Sequence, residues 1–133
     1  MAYIPCFEQI KQLAEITVFK DELRVSLSYE NFSELIKKFI ACVPFDEEWY
    51  LEMNPDIKTA IDEGLIETAA EHYVESGYFE GRLPYAPDVN EEWYVQEYPD
   101  VAEILDRGEE ESPSHHFINR GYREGRLPAP LDD

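Results

Sequence analysis

The chain is poor in cysteine and in basic side chains, and it contains no long hydrophobic run. Its two cysteines, Cys6 and Cys42, lie among apolar neighbours and lack the spacing of a disulfide framework or a zinc site. We therefore expect buried free thiols and a cytoplasmic protein. Because no stretch of about 18 apolar residues is present, no membrane-spanning helix is predicted.

Basic residues are also unevenly placed. The whole chain has 11 Lys and Arg against 30 Asp and Glu, a net charge of −19. Residues 1–44 carry six acidic and five basic side chains, whereas residues 45–133 carry 24 acidic and six basic ones. Such a surface disfavours direct binding to nucleic acid or anionic lipid. A basic partner protein, divalent cations or simple solubility can each account for the acidity.

The most informative feature present is an internal repeat. The segment 45–88 recurs at 89–132 without a gap, and 18 of the 44 aligned positions are identical. A fixed period of this length predicts a small supersecondary unit that stacks on its copy. We predict one compact domain of three parts: a capping unit (1–44), repeat 1 (45–88) and repeat 2 (89–133).

The capping unit is predicted to contain a short helix, a β-hairpin and a longer helix. The first helix spans 5–15, and alternating apolar and polar residues indicate a hairpin at 16–28. Asn31 is the expected N-cap of the longer helix, which ends near Pro44. Its apolar face is wide enough to cover both the hairpin and repeat 1.

Each repeat is predicted to form three short helices, because caps, prolines and glycines recur at the same offset. These positions are the N-caps Asp46, Asn90, Thr68 and Ser112, the prolines Pro55 and Pro99, and the glycines Gly64, Gly108, Gly77, Gly121, Gly81 and Gly125. We expect Gly77 and Gly121 to end the third helix in the left-handed conformation. The predicted fold class is mainly α, with a small N-terminal β-hairpin and helix packed on two tandem three-helix repeats.

Aromatic residues supply both core and candidate surface positions. Trp49 and Trp93 are predicted to lie in the core, where aromatics at helical spacing usually pack. The tyrosines after them are expected to keep their hydroxyls at the surface. The candidate partner contacts among aromatics are Tyr50, Tyr78, Tyr94 and Tyr122.

Two histidines and two arginines occupy equivalent positions in the repeats. His72 and His116 each precede a core aromatic, so we expect them to hold the fold by hydrogen bonds, with a symmetric ligand site as the alternative. Arg82 and Arg126 are expected to pair with glutamates such as those at 47–48 of a neighbouring unit. The alternative is that these arginines bind a carboxylate or phosphate of a ligand.

The densest acidic cluster contains Glu109, Glu110 and Glu111, which we expect to be solvated or to contact a basic partner. The sequence has no phosphate-binding glycine loop, no nucleophile motif and no metal-ligand spacing. We therefore predict that the protein is not an enzyme and has no cofactor or metal site.

The pattern Trp-Tyr-x4-Pro-Asp-(Ile/Val), then His-(Tyr/Phe)-x3-Gly-Tyr-x-Glu-Gly-Arg-Leu-Pro, resembles a repeat of bacterial proteins. That repeat is appended to some glycosyltransferases and cell-surface polysaccharide proteins, and small stand-alone proteins carry two copies. Its typical tyrosine before Pro-Asp is present as Tyr98, whereas the first copy has Asn54. The resemblance implies a non-catalytic accessory role in the synthesis of surface polysaccharide.

The residues and the resemblance together favour an acidic module that binds a protein partner with a basic surface. One alternative is a carbohydrate-binding module that uses exposed aromatics and carboxylates. Another is an acidic inhibitor that mimics nucleic acid and occupies a basic groove. The chain could also form a homodimer.

Overall fold

The computed structural model describes residues 3–132, and these are mainly helical with one two-stranded antiparallel hairpin, as the fold class predicts. The elements are α1 (Phe7–Lys11), β1 (Glu15–Phe19), β2 (Glu22–Ser26), α2 (Tyr29–Ile40), α3 (Glu47–Met53), α4 (Pro55–Asp62), α5 (Ala69–His72), α6 (Glu91–Glu97), α7 (Pro99–Asp106) and α8 (Pro113–His116). Wider π-helical turns, Tyr73–Gly77 and Phe117–Gly121, continue α5 and α8 directly. No helix in this described part is long and apolar enough to cross a membrane.

The hairpin forms where alternation predicts it, although its turn has no glycine. Phe19 pairs with Glu22, so the loop is only the two residues Lys20 and Asp21. Their φ angles are 50° and 64°, the left-handed values that a two-residue turn needs to match the twist of the strands. All ten strand residues are exposed, so nothing in the described chain covers either face.

The start of α2 differs from the prediction. Ser28 is the N-cap, and its side chain accepts a hydrogen bond from the backbone N–H of Asn31 at 3.0 Å. Asn31 lies inside the first turn, and its side-chain amide donates to the carbonyl of Leu13 at 2.9 Å. The predicted cap is therefore wrong by three residues, because Asn31 links α2 to the segment after α1 instead.

Helix α2 contacts repeat 1 over a smaller part of its apolar face than the sequence predicts. No residue of α1 or α2 is fully buried. Ile40 packs against the core of repeat 1, and Lys37 Nζ lies 2.8 Å from Glu75 Oε2. Phe32 and Phe39 remain 47% and 44% exposed. The expectation that this helix covers the hairpin is therefore wrong, and only its C-terminal half contacts repeat 1.

Each repeat closes on itself. The backbone N–H of Asp46 donates to the carbonyl of Pro84, and that of Asn90 donates to Pro128, both at 2.9 Å. Repeat 1 buries Tyr50, Ile57, Ala69 and Tyr73 in one cluster, while repeat 2 buries Tyr94, Val101 and Phe117 in another. Each copy therefore has its own cluster of buried residues, although Leu83 of repeat 1 packs against that of repeat 2. The more extensive helix contacts lie within a repeat or join α2 to repeat 1.

Local signals within the repeats are confirmed at most predicted positions. The side chains of Asp46, Asn90, Thr68 and Ser112 each accept a backbone hydrogen bond at a helix start. Pro55 and Pro99 take the first turns of α4 and α7. Gly64 and Gly108, with φ angles of 78° and 74°, follow those helices.

The predicted role of Gly77 and Gly121 is wrong. Neither has a positive φ angle, because the chain continues through the π-helical turn into Tyr78 or Tyr122 with helical dihedrals. The left-handed residues are Gly81 and Gly125, four positions later, at 82° and 78°.

The cysteines are free but not buried. Cys6 is exposed, and Cys42 is half-buried, with its Sγ 2.9 Å from the carbonyl oxygen of Tyr3. The expectation of two buried thiols is therefore wrong, because the N-terminal unit has no enclosed core to receive them.

Candidate functional site

A buried tyrosine–histidine pair lies at the centre of each repeat. Tyr50 Oη is 2.8 Å from His72 Nδ1, and Tyr94 Oη is 2.7 Å from His116 Nδ1. Both tyrosines are fully buried. The expectation that their hydroxyls reach the surface is wrong, because each hydroxyl turns inward to the histidine. Tyr50 and Tyr94 therefore cannot serve as surface contacts for a partner.

The hydroxyl of each pair occupies the space that a glycine leaves open. A Cβ atom placed on Gly77 would overlap Tyr50 Oη, and one on Gly121 would overlap Tyr94 Oη. These glycines are thus required for close approach of a side chain to the π-helical backbone, not for a left-handed turn. Tyrosine, histidine and glycine form one packed unit in both copies.

The protonation states of the pair follow from burial. Burial raises the pKa of Tyr50 and of Tyr94 to about 12, and it lowers the pKa of His72 and of His116. A protonated hydroxyl therefore donates to a neutral imidazole, whose own proton lies on Nε2. Glu80 Oε1, which can only accept, lies 3.5 Å from Nε2 of His72 and supports this tautomer.

The two tyrosine–histidine pairs differ in the surroundings of the histidine Nε2, the ring nitrogen that does not face the tyrosine. His116 is 0% exposed, and its Nε2 has no hydrogen-bond partner among residues 3–132. Leaving one buried donor unpaired costs roughly 1–3 kcal/mol. Glu124, the equivalent of Glu80, binds Arg126 instead, through Nε at 3.1 Å and Nη2 at 3.0 Å. The second pair is consequently the more sensitive of the two to protonation.

The arginines form bidentate ion pairs within their own repeats. Arg82 Nη1 and Nη2 lie 3.1 and 3.0 Å from the two carboxylate oxygens of Asp56, and Arg126 and Asp100 are joined in the same way at 2.8 and 2.6 Å. The hydrogen bonds from these guanidinium groups lower the pKa of Asp56 and of Asp100. The predicted pairing with glutamates at 47–48 is wrong, because the aspartate after the helix-starting proline is nearer.

The residue before that proline distinguishes the copies. In repeat 1, Asn54 Oδ1 accepts a hydrogen bond from Arg82 Nη1 at 2.9 Å. In repeat 2, the guanidinium of Arg126 lies over the ring of Tyr98, 4.9 Å from its centroid. Tyr98 Oη also accepts from the backbone N–H of Leu127 at 2.9 Å. Both solutions hold the arginine, so Arg82 and Arg126 have a structural role here.

The acidic cluster is only partly free. Glu110 is nearly buried, with Arg120 Nε 3.6 Å away and the Asn119 amide donating to it at 3.1 Å. Glu109 and Glu111 remain exposed and lie on an open hollow beside His115. Glu111 is therefore available to a partner, and Glu109 is exposed with one long contact to Arg107, at 3.9 Å.

A cleft between the repeats contains residues that the sequence analysis did not select. Its volume is about 250 Å³, and its lining includes Trp49, Arg82, Asn119 and Arg123. The Arg123 side chain lies across Gly81, where a Cβ would come within 2.8 Å of its Cγ. Within residues 3–132, Arg123 has no acidic partner. An aromatic ring, an amide and an unpaired guanidinium therefore line this inter-repeat cleft.

The tryptophans are not equivalent in this setting. Both are half-buried, so the prediction that they are core residues is only partly right. Trp93 packs against the core of repeat 2 and edge-on to Tyr98, with ring centroids 6.1 Å apart. Trp49 lines the inter-repeat cleft instead.

Tyr78 and Tyr122 stay in consideration as contacts because both are half-buried rather than enclosed. Each packs on the preceding core ring, Tyr78 on Tyr73 and Tyr122 on Phe117, with centroids 6.4 and 6.1 Å apart. Tyr122 also lines a second, more apolar groove of about 470 Å³ beside the proline-rich segment 83–88.

Comparison with known proteins adds no assignment: no family model, no curated protein and no solved structure matches this chain. Within the described residues, no cluster of three His, Cys, Asp or Glu side chains has the geometry of a metal site.

Arg123 escaped selection because it is not shared by the repeats. The aligned position in repeat 1 is Phe79. Shared positions such as Tyr50, His72 and Arg82 proved to hold each repeat together. The cleft therefore combines shared residues such as Trp49 and Arg82 with Asn119 and Arg123, which only repeat 2 has.

The packing of glycine against the tyrosine hydroxyl can be tested with a double-mutant cycle. Gly77→Ala should lower the free energy of unfolding by about 2 kcal/mol, because the new methyl group overlaps Tyr50 Oη. Tyr50→Phe removes that oxygen, so the double variant should lose less stability than the two single variants added together. The measurement is urea unfolding followed by circular dichroism.

Gly121→Ala with Tyr94→Phe is the matched cycle in repeat 2. Gly108→Ala serves as a control, because it has a positive φ but open space around it and should cost the same with or without Tyr50→Phe. Strict additivity in both tyrosine cycles would contradict this account.

The buried histidines should make stability depend on pH. Their folded-state pKa values lie below the ordinary value near 6.5, so the stabilisation is complete above that pH and is lost as pH falls through the folded-state values. The free energy of unfolding should therefore decrease between pH 7 and pH 5, by at most about 1.4 kcal/mol per pH unit for each histidine. Asp56 and Asp100 act only at lower pH.

His116→Asn keeps an acceptor near the position of Nδ1 but cannot be protonated. Its deficit relative to the native chain should shrink from pH 7 to pH 5. His72→Asn should show a smaller change, because the negative charge of Glu80 beside Nε2 stabilises a protonated His72. Equal deficits at both pH values for His116→Asn would refute the assignment.

Proposed function

We propose that this chain is a non-catalytic interaction module whose acidic repeats bind a protein with a basic surface. The observation that supports it most is the use of the basic side chains in residues 45–133. Five of the six, namely Lys58, Arg82, Arg107, Arg120 and Arg126, pair with acids inside the repeats, and Arg123 faces the inter-repeat cleft. Residues 45–133 therefore keep a net charge of −18, and most of their carboxylates are exposed.

The residues that both repeats share support a non-catalytic role. The tyrosine–histidine pairs are enclosed, and the arginine–aspartate pairs are closed ion pairs. A catalytic role would need such groups to reach a substrate, and their positions give them a structural task instead. The charged residues on the surface differ more between the repeats, and such a surface can bind a partner protein. An accessory role around polysaccharide synthesis rests on the resemblance of the motif alone.

Electrostatic binding makes a direct prediction about salt. Proteins captured by the immobilised chain at 50 mM salt should be basic, and the Kd of a recovered partner should rise at least tenfold at 300 mM. Glu109→Gln with Glu111→Gln should weaken binding and reduce the salt dependence, because both carboxylates are exposed. The measurement is titration calorimetry at the two salt concentrations.

Glu15→Gln with Glu30→Gln is the matched control, since it removes the same charge from the nearly neutral N-terminal unit. It should leave the affinity unchanged. Affinity that is independent of salt, or equal losses in both pairs of variants, would contradict the proposal. Capture of a nucleic-acid-binding protein that is displaced by DNA would favour the mimic instead.

A second candidate function is carbohydrate binding in the inter-repeat cleft. Trp49 supplies a ring on which a sugar can stack, while Asn119 and Arg123 supply polar groups that can bind hydroxyls or a carboxylate. The unpaired guanidinium in an otherwise acidic chain favours a sugar that carries an acidic group.

The two tryptophans allow this site to be isolated. Trp93→Phe leaves Trp49 as the single tryptophan of the chain. Its fluorescence should change on addition of a uronic-acid oligosaccharide, and Arg123→Gln in the same background should weaken that binding at least fivefold. The Trp49→Phe chain, which retains Trp93, should give no signal. An absence of any change at millimolar oligosaccharide would exclude this function.

A further inference from the structure

The Nε2 atom of His116 is a buried donor that lacks a partner when the imidazole is neutral. His116 is 0% exposed, its Nδ1 lies 2.7 Å from Tyr94 Oη, and no group within residues 3–132 binds Nε2. A second proton on the imidazole places a full positive charge at this position. A buried charge is stable only when it is paired, so protonation of His116 favours a carboxylate at Nε2.

Repeat 1 contains the arrangement that meets this requirement. Glu80 lies between two groups, with its Oε1 3.5 Å from His72 Nε2 and its Oε2 3.4 Å from Arg82 Nη2. Within residues 3–132, Arg82 contacts Glu80 and Asp56 through Nη1 and Nη2 and not through Nε. The carboxylate of Glu80 is thus already beside the imidazole before a second proton arrives.

Glu124 is the equivalent residue of repeat 2, but it contacts the arginine instead of the histidine. Its Oε2 takes both bonds, from Arg126 Nε at 3.1 Å and from Arg126 Nη2 at 3.0 Å. A π-helical turn precedes the glutamate in each copy, and the glycine after it, Gly81 or Gly125, has a φ angle of 82° or 78°. Because the backbone is alike in the two copies, rotation of the Glu124 side chain is enough to reach the position of Glu80.

The other polar groups around this imidazole are already bound. Besides Glu124, it is faced by Tyr94 on α6, Asp100 on α7, Glu110 before α8 and Arg126 after the π-helical turn. Both oxygens of Asp100 bind Arg126, at 2.8 and 2.6 Å, and Glu110 accepts from the Asn119 amide at 3.1 Å. The carboxylate that can turn towards Nε2 is therefore that of Glu124.

We propose that Glu124 is a side-chain switch operated by a proton on His116. When His116 takes up its second proton, the carboxylate turns from Arg126 Nε to a position between His116 Nε2 and Arg126 Nη2, as Glu80 lies in repeat 1. Arg126 keeps both bonds to Asp100, so repeat 2 stays closed while the side chain turns. Burial lowers the pKa of His116, so the change occurs below the ordinary value near pH 6.5. The protein thus responds to acid with a local rearrangement in one of its two repeats.

Nitrogen–proton NMR spectra of the full chain follow this switch without any substitution. The Arg126 Nε–Hε signal should move with the same midpoint as the His116 imidazole, because Nε loses its carboxylate when His116 gains its charge. Arg82 is the internal control, since Glu80 already lies between His72 and Arg82 Nη2, and its Nε–Hε signal should change little. Circular dichroism over the same pH range reports whether the repeats stay folded.

Glu124→Gln separates the switch from a simple effect of nearby charge. Glutamine keeps the shape and an acceptor for Arg126, but it has no charge with which to hold a protonated His116. The measured pKa of His116 should fall by about 1, and the Arg126 signal should no longer follow the histidine. Glu97→Gln is the matched control, because it removes the same charge from an exposed position of α6 and should leave both unchanged.

Four results would overturn the proposal. In the native chain they are an Arg126 Nε–Hε signal that stays constant while His116 titrates, and a His116 that remains neutral until the repeats unfold. In the variants they are an Arg126 signal that follows His116 as much in Glu124→Gln as in the native chain, and equal pKa values of His116 in Glu124→Gln and Glu97→Gln. In each of these cases the carboxylate of Glu124 does not respond to the proton.

Discussion

The tyrosine hydroxyl that each repeat buries against a glycine is the constraint on which its core depends. Tyr50 and Tyr94 must place a polar atom inside an apolar cluster, and this costs free energy unless the atom is hydrogen-bonded. The histidine 22 residues later supplies the acceptor, and the glycine five residues after the histidine leaves the space. Helix start, π-helical turn and core are thereby fixed relative to one another by a single contact.

Contacts between its two ends also close each repeat. The Asp56–Arg82 ion pair and the hydrogen bond from Asp46 to Pro84 join the beginning of the unit to its end, and their counterparts do so in repeat 2. The described part of the N-terminal unit is joined by the hydrogen bonds of Asn31 to Leu13 and of Cys42 to Tyr3, but neither of its helices has a fully buried residue. The closing contacts account for several of the residues that the copies share, while Leu83 of repeat 1 also packs against the core of repeat 2.

Sequence reasoning succeeded where a structural signal is local and failed where it spans the chain. Caps such as Asp46 and Thr68 act within one helical turn, so three or four consecutive residues are enough to predict them. The Tyr50 hydroxyl points inward because its hydrogen-bond partner, His72, lies 22 positions later in the chain. The pairing of Arg82 with Asp56 depends on the tertiary fold, which the periodicity of the sequence does not specify. The importance of Gly77 is predicted correctly, but the reason is wrong. A sequence does not distinguish a glycine that adopts a positive φ angle from one that leaves room for a neighbouring side chain.

The residues that the repeats share differ in role from those that they do not share. Positions that the copies share are occupied with holding each copy together, so identity between repeats is a guide to architecture here. Function is more reasonably sought in what is not shared: Arg123 against Phe79 in the inter-repeat cleft, Glu109 against Leu65, and the aliphatic hairpin face outside the repeats.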